Sequence, residues 1–185
     1  PVHHCTLTEL NVLKQQLIND INCIPTSSVG RLFDAAAALM GVREQVNYEA
    51  QAAIELESLI DPEESGCYPI EFENGLIYPV LLLKSIISDV RSHLPLSTIS
   101  ARFHNSIIQI IVTVCRQVRA DFGSKNIALS GGVWQNKYLL QKTEQQLKKD
   151  GFNVMLHSQV PTNDGGISLG QAMVAARSLQ IFKQG

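Results

Sequence analysis

The chain has 185 residues, 45% of them hydrophobic, with 15 Lys+Arg against 17 Asp+Glu and a formal net charge of −2. That hydrophobic content can bury a core, which excludes a disordered or fibrous chain, and the length suits one domain or one lobe of a larger one. The near-neutral charge excludes wholesale electrostatic binding to nucleic acid or to an anionic membrane, and no apolar run approaches the ~20 residues that span a bilayer.

Residues 1–125 read as mostly helical. Thr8 to Ile21 carries Leu10, Leu13, Leu17, Ile18 and Ile21 at the spacing of an amphipathic helix, broken by Cys23-Ile24-Pro25. Thr26, Ser27 and Ser28 offer caps for a second helix, Val29 to Met40, stopped by Gly41. Asn47 is expected to cap a third, Tyr48 to Ile60. Asp61 to Gly66 is a loop, and Asn74-Gly75 between Tyr68–Glu73 and Leu76–Tyr78 predicts a hairpin. Pro79 opens a helix to about Leu94, and a long helix of about Thr98 to Phe122 follows Pro95.

Residues 126–185 change pattern to strand–loop–helix–strand–loop–helix. Asn126–Leu129 and Phe152–His157 are the strands; Gln135–Asp150 and about Ile167–Phe182 are the helices. This is the order of parallel α/β folds, in which ligands bind at the carboxyl ends of the strands. Two Gly-rich loops stand there, each feeding a helix start whose free N–H groups favour anions.

The first loop, Ser130-Gly131-Gly132, allows a close backbone approach, and Asn136 is placed to hydrogen-bond a base or sugar; a structural turn is the alternative. The spacing matches neither a Walker A loop nor Gly-x-Gly-x-x-Gly. In the second, Asn163-Asp164-Gly165-Gly166, Asp164 reads either as a helix cap or as a metal-ligating carboxylate, and one carboxylate is not a metal site. His3, His4, His93, His104 and His157 form no local ligand pair. Gly30, in the first turn of its helix with Arg31 and Asp34, implies either a ligand or a packed helix against it. Cys5, Cys23, Cys67 and Cys115 contain no Cys-x-x-Cys and read as reduced thiols, small buried hydrophobes in a cytoplasmic protein. The first residue is Pro, so the chain is expected to be a piece of a longer polypeptide.

Taken in order, Thr26–Ala35, Tyr48–Ala53, Ala101–Asn105, Ser130–Val133 with Asn136, and Pro161 with Asn163–Ile167 and Leu169–Gln171 resemble the C-terminal part of the HypF family, the carbamoyltransferases of NiFe-hydrogenase maturation. The resemblance runs from about residue 25 to 175. It implies a helix-rich α/β lobe, part of an actin/hexokinase-like (ribonuclease H-like) fold. It also implies an enzyme that uses carbamoyl phosphate and ATP to carbamoylate the C-terminal cysteine of HypE in the cytoplasm. By the same resemblance Gly30, Ser130, Gly131, Gly132 and Asn136 contact the nucleotide, Asp164 is a ligand of a divalent metal (Zn or Fe), and Arg31 and His104 line the cleft. The family's His-x-x-x-His pair and its adenylating domain are not in these residues, so the chain alone is expected to be inactive and to retain metal weakly.

Two other readings stand beside this one. A lobe of a tRNA threonylcarbamoyl transferase would have Gly-Glu in place of Gly30-Arg31 and two small residues in place of Trp134-Gln135. A non-catalytic nucleotide-binding or docking module is the third. Ala50 and Trp134 depart from the HypF pattern, which more often has Gly and Phe there, and read as packing variation. Replacing Asn136 by Ala is expected to weaken nucleotide binding roughly two- to tenfold with little effect on melting temperature.

Overall fold

Helical periodicity prevails over most of the chain, and strands form only where short apolar runs meet turn residues. The computed structural model describes residues 5–183, so His3 and His4 lie outside the described residues. The chain forms two units, Pro1–Phe103 and His104–Gly185. The pattern of the sequence changes after residue 125, whereas the structural division falls inside the long helix. The early residues of that helix bond within the first unit and its later ones within the second.

The first unit contains α1 (Leu7–Asn19), α2 (Val29–Leu39), α3 (Gln51–Ser58), the hairpin β1 (Glu71–Glu73) and β2 (Leu76–Tyr78), α4 (Val80–Arg91) and the start of α5 (Leu96–Phe122). Thr6 starts α1 through a capping box: its hydroxyl accepts the Glu9 N–H at 3.3 Å while its own N–H donates to the Glu9 carboxylate at 2.8 Å. The apolar face of α1 is exposed, and the helix buries no residue; Leu17 is 74% exposed. Ser28 caps α2 as expected, accepting the Arg31 N–H. From α2, Phe33 meets Phe103 edge-to-face at 4.8 Å between ring centroids, and Leu56, Leu82 and Ile86 are likewise buried in this unit. The hairpin pairs Phe72 with Ile77 around Asn74-Gly75.

Polar ties hold the first unit's irregular segments. The Ser100 hydroxyl, fully buried, donates to the Leu56 carbonyl at 2.6 Å and joins α5 to the end of α3. Arg102 donates to Asp89 of α4 at 3.1 Å and to Glu64 of the 61–66 loop at 3.3 Å. The Tyr68 hydroxyl donates to the same Asp89 carboxylate at 2.7 Å, and its burial, followed by that carboxylate, pushes its pKa well above the usual tyrosine value. Arg43 meets Glu55 of α3 with both arms of its guanidinium, at 2.8 and 2.6 Å. The Arg43 bonds, followed by that from Gln51, hold the Glu55 carboxyl below its ordinary range.

α3 starts at Gln51, not at Tyr48, and Asn47 is not its cap. The Asn47 N–H donates to the Gln51 side-chain carbonyl at 2.8 Å, and Ala50, the residue before the helix, sits at φ 61° with no side-chain cap. This corrects the reading of Ala50 as packing variation: the position is a left-handed backbone site, which glycine occupies without the Cβ penalty.

In the second unit β3 (Asn126–Leu129) pairs in parallel with β4 (Asn153–Leu156), Leu129 opposite Leu156. Between them lie a 3₁₀ turn, Gly132–Gln135, and α6 (Lys137–Lys149); after β4 come a second 3₁₀ turn, Asp164–Gly166, and α7 (Ile167–Lys183). β3 has the predicted bounds, while β4 and α6 are each shorter at both ends than predicted. Arg116 and Arg119 clamp the far end of α6, donating to the Asp150 carboxylate at 2.6 Å and to its carbonyl at 2.7 Å. No helix among the described residues is long and apolar enough to cross a membrane. All four cysteines are free, but Cys67 is exposed and Cys5, Cys23 and Cys115 are half-buried, so none is the fully buried thiol expected.

Ala50→Gly relieves a left-handed strain of about 1–2 kcal/mol and returns about half of it as unfolded-state entropy. The variant is expected to melt roughly 1–3 °C higher by calorimetry or circular dichroism; an unchanged or lower melting point would show that the backbone there is not strained.

Candidate strand-end ligand site

The parallel register places equivalent chain positions side by side. With Leu129 opposite Leu156, the next residues, Ser130 and His157, leave the two strands together. The His157 Nε2 lies 2.9 Å from the Ser130 Oγ, and both residues are exposed. One residue later the loops are tied again: the Gly131 N–H donates to the Thr162 carbonyl at 2.9 Å, and the Thr162 hydroxyl donates to the Gly131 carbonyl at 3.0 Å. Gly131 stands at φ 107°, a conformation that glycine alone adopts readily.

That torsion turns the chain into the 3₁₀ segment, whose first amide bond runs from the Trp134 N–H to the Gly131 carbonyl. The N–H groups of Gly132 and Val133 precede the turn's own bonds, as the first amides of any helical segment do. Gly132 has no left-handed torsion, and a Cβ added there would meet only the Asn163 Cβ at 3.9 Å, an ordinary contact. The open surface over Gly132 is therefore not required by the fold.

Asn136 is the cap of α6, not a residue of its first turn. Its side-chain oxygen accepts the Leu139 N–H at 2.8 Å. The orientation of the amide is thereby set, and the Nδ2 faces the His104 Nε2 at 2.9 Å. His104 is completely buried and Asn136 only 9% exposed. Because Nδ2 can only donate, the His104 Nε2 accepts, and the imidazole is neutral with its proton on Nδ1. Tyr138 closes the cluster: its ring stands edge-on to His104 at 5.9 Å and its hydroxyl donates to the Asn105 side chain at 3.0 Å. Burial pushes the Tyr138 pKa up.

The second loop is held by Asn163. Its side-chain oxygen accepts the Gly165 N–H at 3.1 Å and its carbonyl accepts the Gly166 N–H at 3.0 Å. A Cβ on Gly166 would lie 2.7 Å from the Pro161 carbonyl oxygen, so only glycine fits. Asn163, not Asp164, caps this turn, which removes the reading of Asp164 as a cap. Asp164 is exposed on the turn, and among the described residues no group of three or more His, Cys, Asp or Glu could hold a metal ion. One exposed carboxylate does not fit a bound divalent metal unaided.

The second unit thus brings Ser130, Gly131 and Gly132 against the loop that carries Asp164, and joins Asn136 to His104 beneath them. His104 does not line a surface; it acts through Asn136. Gly30 and Arg31 belong to the first unit. A Cβ on Gly30 would meet only the Ser28 Oγ, at 3.6 Å, which overturns the reading of helix packing through this glycine. The Arg31 side chain is 75% exposed and pairs with Asp34 at 3.5 Å. Sequence reasoning missed His157, Thr162 and Asn163 as members of the site. A signal for His157 was present: it follows the second strand in the place where Ser130 follows the first.

The family model described as the carbamoyltransferase Kae1-like domain, second subdomain, matches residues 2–171. The chain is 39% identical over 160 residues to the carbamoyltransferase HypF of Synechocystis sp., covering 84% of this chain and 20% of that protein. It is 33% identical over 172 residues to HypF of Rhodobacter capsulatus, covering 92% of this chain and 22% of that one. It therefore spans about a fifth of the length of these curated relatives. The crystal structure of full-length HypF in the phosphate- and nucleotide-bound form superposes with a TM-score of 0.90 at 42% identity, covering 96% of this chain and 24% of that chain. The HypF structure of T. kodakarensis gives 0.81 at 30% identity, over 94% and 23%. The likeness to a tRNA N6-adenosine threonylcarbamoyltransferase of Synechococcus sp. is lower, 25% over 155 residues, covering 78% of this chain and 44% of that protein. The fold is accordingly a helix-rich α/β lobe of the actin/hexokinase-like type.

The buried cap overturns the expectation that Asn136→Ala leaves stability alone. Losing the cap costs about 1 kcal/mol, and stranding the His104 acceptor adds about 1–3 kcal/mol. The variant is expected to melt roughly 5–10 °C lower, with Asn136→Asp, which keeps the capping oxygen, falling between it and the parent; equal melting of all three in a thermal scan would remove the pair from the structural core.

Proposed function

The chain belongs to the HypF carbamoyltransferases, and from that premise we propose that it supplies nucleotide contacts to an enzyme that uses carbamoyl phosphate and ATP to carbamoylate the C-terminal cysteine of HypE in NiFe-hydrogenase maturation. The observation that carries this reading is the strand-end backbone. Gly131 turns the chain so that the N–H groups of Gly132 and Val133 come in succession before the turn's own bonds, at the carboxyl edge of a parallel pair. Successive N–H groups in such a turn form a concavity suited to phosphate oxygens. A relative solved with phosphate and nucleotide bound, 42% identical over nearly all of this chain, supports the ligand class. Gly30, Ser130, Gly131 and Gly132 are the proposed nucleotide contacts. Asn136 contributes by fixing where α6 begins. Arg31 is exposed and charged, and its proposed role is to line the cleft.

The activity belongs to a longer protein than these residues represent, since the chain covers about a fifth of its curated relatives. Asp164 is the proposed single ligand for a Zn or Fe ion whose other ligands come from outside this chain. The higher identity to HypF than to the tRNA-modifying enzymes, 39% against 25%, favours HypE over tRNA as the acceptor.

In a full-length carbamoyltransferase carrying this chain, Gly132→Val fits the fold but fills the surface over the loop. It is expected to weaken nucleotide binding about tenfold or more in calorimetry, the order of a lost charge-assisted contact, with the melting temperature unchanged. Unchanged affinity would misplace the site. The 185-residue chain by itself is expected to give no carbamoylated HypE thiol by intact mass. After dialysis it is expected to hold metal well below one ion per chain by elemental analysis; stoichiometric Zn or Fe would reveal a complete ligand set within it.

A further inference from the structure

The structure pairs Ser130 with His157 at the mouth of the strand-end site, and nothing in the fold requires that pair. We propose that His157 is the positioning residue that sets the Ser130 hydroxyl as a hydrogen-bond donor to a phosphate oxygen of the bound nucleotide; this rests on the nucleotide reading above.

A serine hydroxyl carries one proton and two acceptor lone pairs on a free rotor. Facing a phosphate, it helps only when its proton points at the ligand. The His157 Nε2, 2.9 Å from the Ser130 Oγ, decides which way it points. With Nε2 bare, the hydroxyl donates to the ring and presents lone pairs to the anion, which repels it. With the ring's proton on Nε2, the ring donates to Oγ and the hydroxyl proton is free for the phosphate. The two forms are the two tautomers of the imidazole, which exchange through solvent. The bound anion selects the Nε2–H form.

The backbone holds the two residues side by side. Leu129 and Leu156 are register partners, and the two bonds between Gly131 and Thr162 lace the loops immediately after. A nucleophile–base role for the same two residues needs a third group that orients the ring. Among the described residues His157 has no hydrogen-bond partner other than Ser130. The buried His104 is a contrast: its Nε2 is committed to accepting from Asn136, whose amide is fixed by the α6 cap.

The test is ADP binding by calorimetry to the full-length carbamoyltransferase carrying this chain. His157→Ala and Ser130→Ala are each expected to weaken binding roughly three- to tenfold, the range of one hydrogen bond. The double variant is expected to bind no more weakly than Ser130→Ala, because the histidine acts only through the hydroxyl. His157→Gln, whose amide N–H can donate to Oγ, is expected to restore binding to within about twofold of the parent. Nitrogen-15 spectra of labelled histidine should show the His157 Nε2 becoming protonated on ADP addition. The proposal is overturned if Ser130→Ala weakens binding while His157→Ala does not, if the two losses add, or if His157→Gln binds as weakly as His157→Ala. If Ser130→Ala and Gly132→Val both leave affinity unchanged, the strand-end reading itself fails, and this inference with it.

Discussion

A buried imidazole nitrogen that must be satisfied organises the second unit. His104 lies inside the long helix α5 with no exposed surface, and its Nε2 accepts from the Asn136 amide at 2.9 Å. Asn136 can serve it only because the other end of the same amide is bonded to the Leu139 N–H at the start of α6. One side chain therefore satisfies two elements that lie far apart in the chain. The start of α6 is tied to α5, the 3₁₀ turn before it is confined to Gly132–Gln135, and the loop after β3 must close in the few residues between. Low local dielectric strengthens such a pair and makes losing half of it costly.

The loop geometry at the site follows from backbone limits rather than from charge. Gly131 takes a torsion closed to other residues, and Gly166 sits where a Cβ would strike the Pro161 carbonyl. Between them, paired bonds to Thr162 bind one loop to the other. What remains on the surface is a short run of N–H groups, one hydroxyl beside an imidazole, and one exposed carboxylate. This set can bind and orient an anion. Among the described residues no group of three or more His, Cys, Asp or Glu joins that carboxylate.

The first unit solves a different problem. Its long loops between helices carry polar groups that need partners, and it supplies them by sharing. Asp89 accepts from both Tyr68 and Arg102, and Arg102 extends to Glu64. Glu55 receives both arms of Arg43 and the Gln51 amide, while Gln51 in turn accepts the Asn47 N–H. The helix α3 is thus started by a side chain from within it and by a strained Ala50, not by the asparagine that its sequence offers as a cap.

Local signals were read correctly from the sequence: the Ser28 cap, the Asn74-Gly75 hairpin, the two parallel strands and the Gly-rich loops after them. Each depends on torsions and bonds within a few residues, which the residue types themselves dictate. The resemblance to the carbamoyltransferases was legible for a related reason, because the residues that carry it cluster in those loops. The exposure of α1 was not legible. Periodicity tells which side of a helix is apolar, not what lies against it. Nor were the roles of Asn136 and His157, whose partners His104 and Ser130 lie 32 and 27 residues away in the chain. A side chain with both a donor and an acceptor reads as a ligand contact until the fold brings up a buried group that claims it. Only the tertiary structure decides that competition, since burial and strand register, not residue type, determine which polar atoms can still reach solvent or ligand.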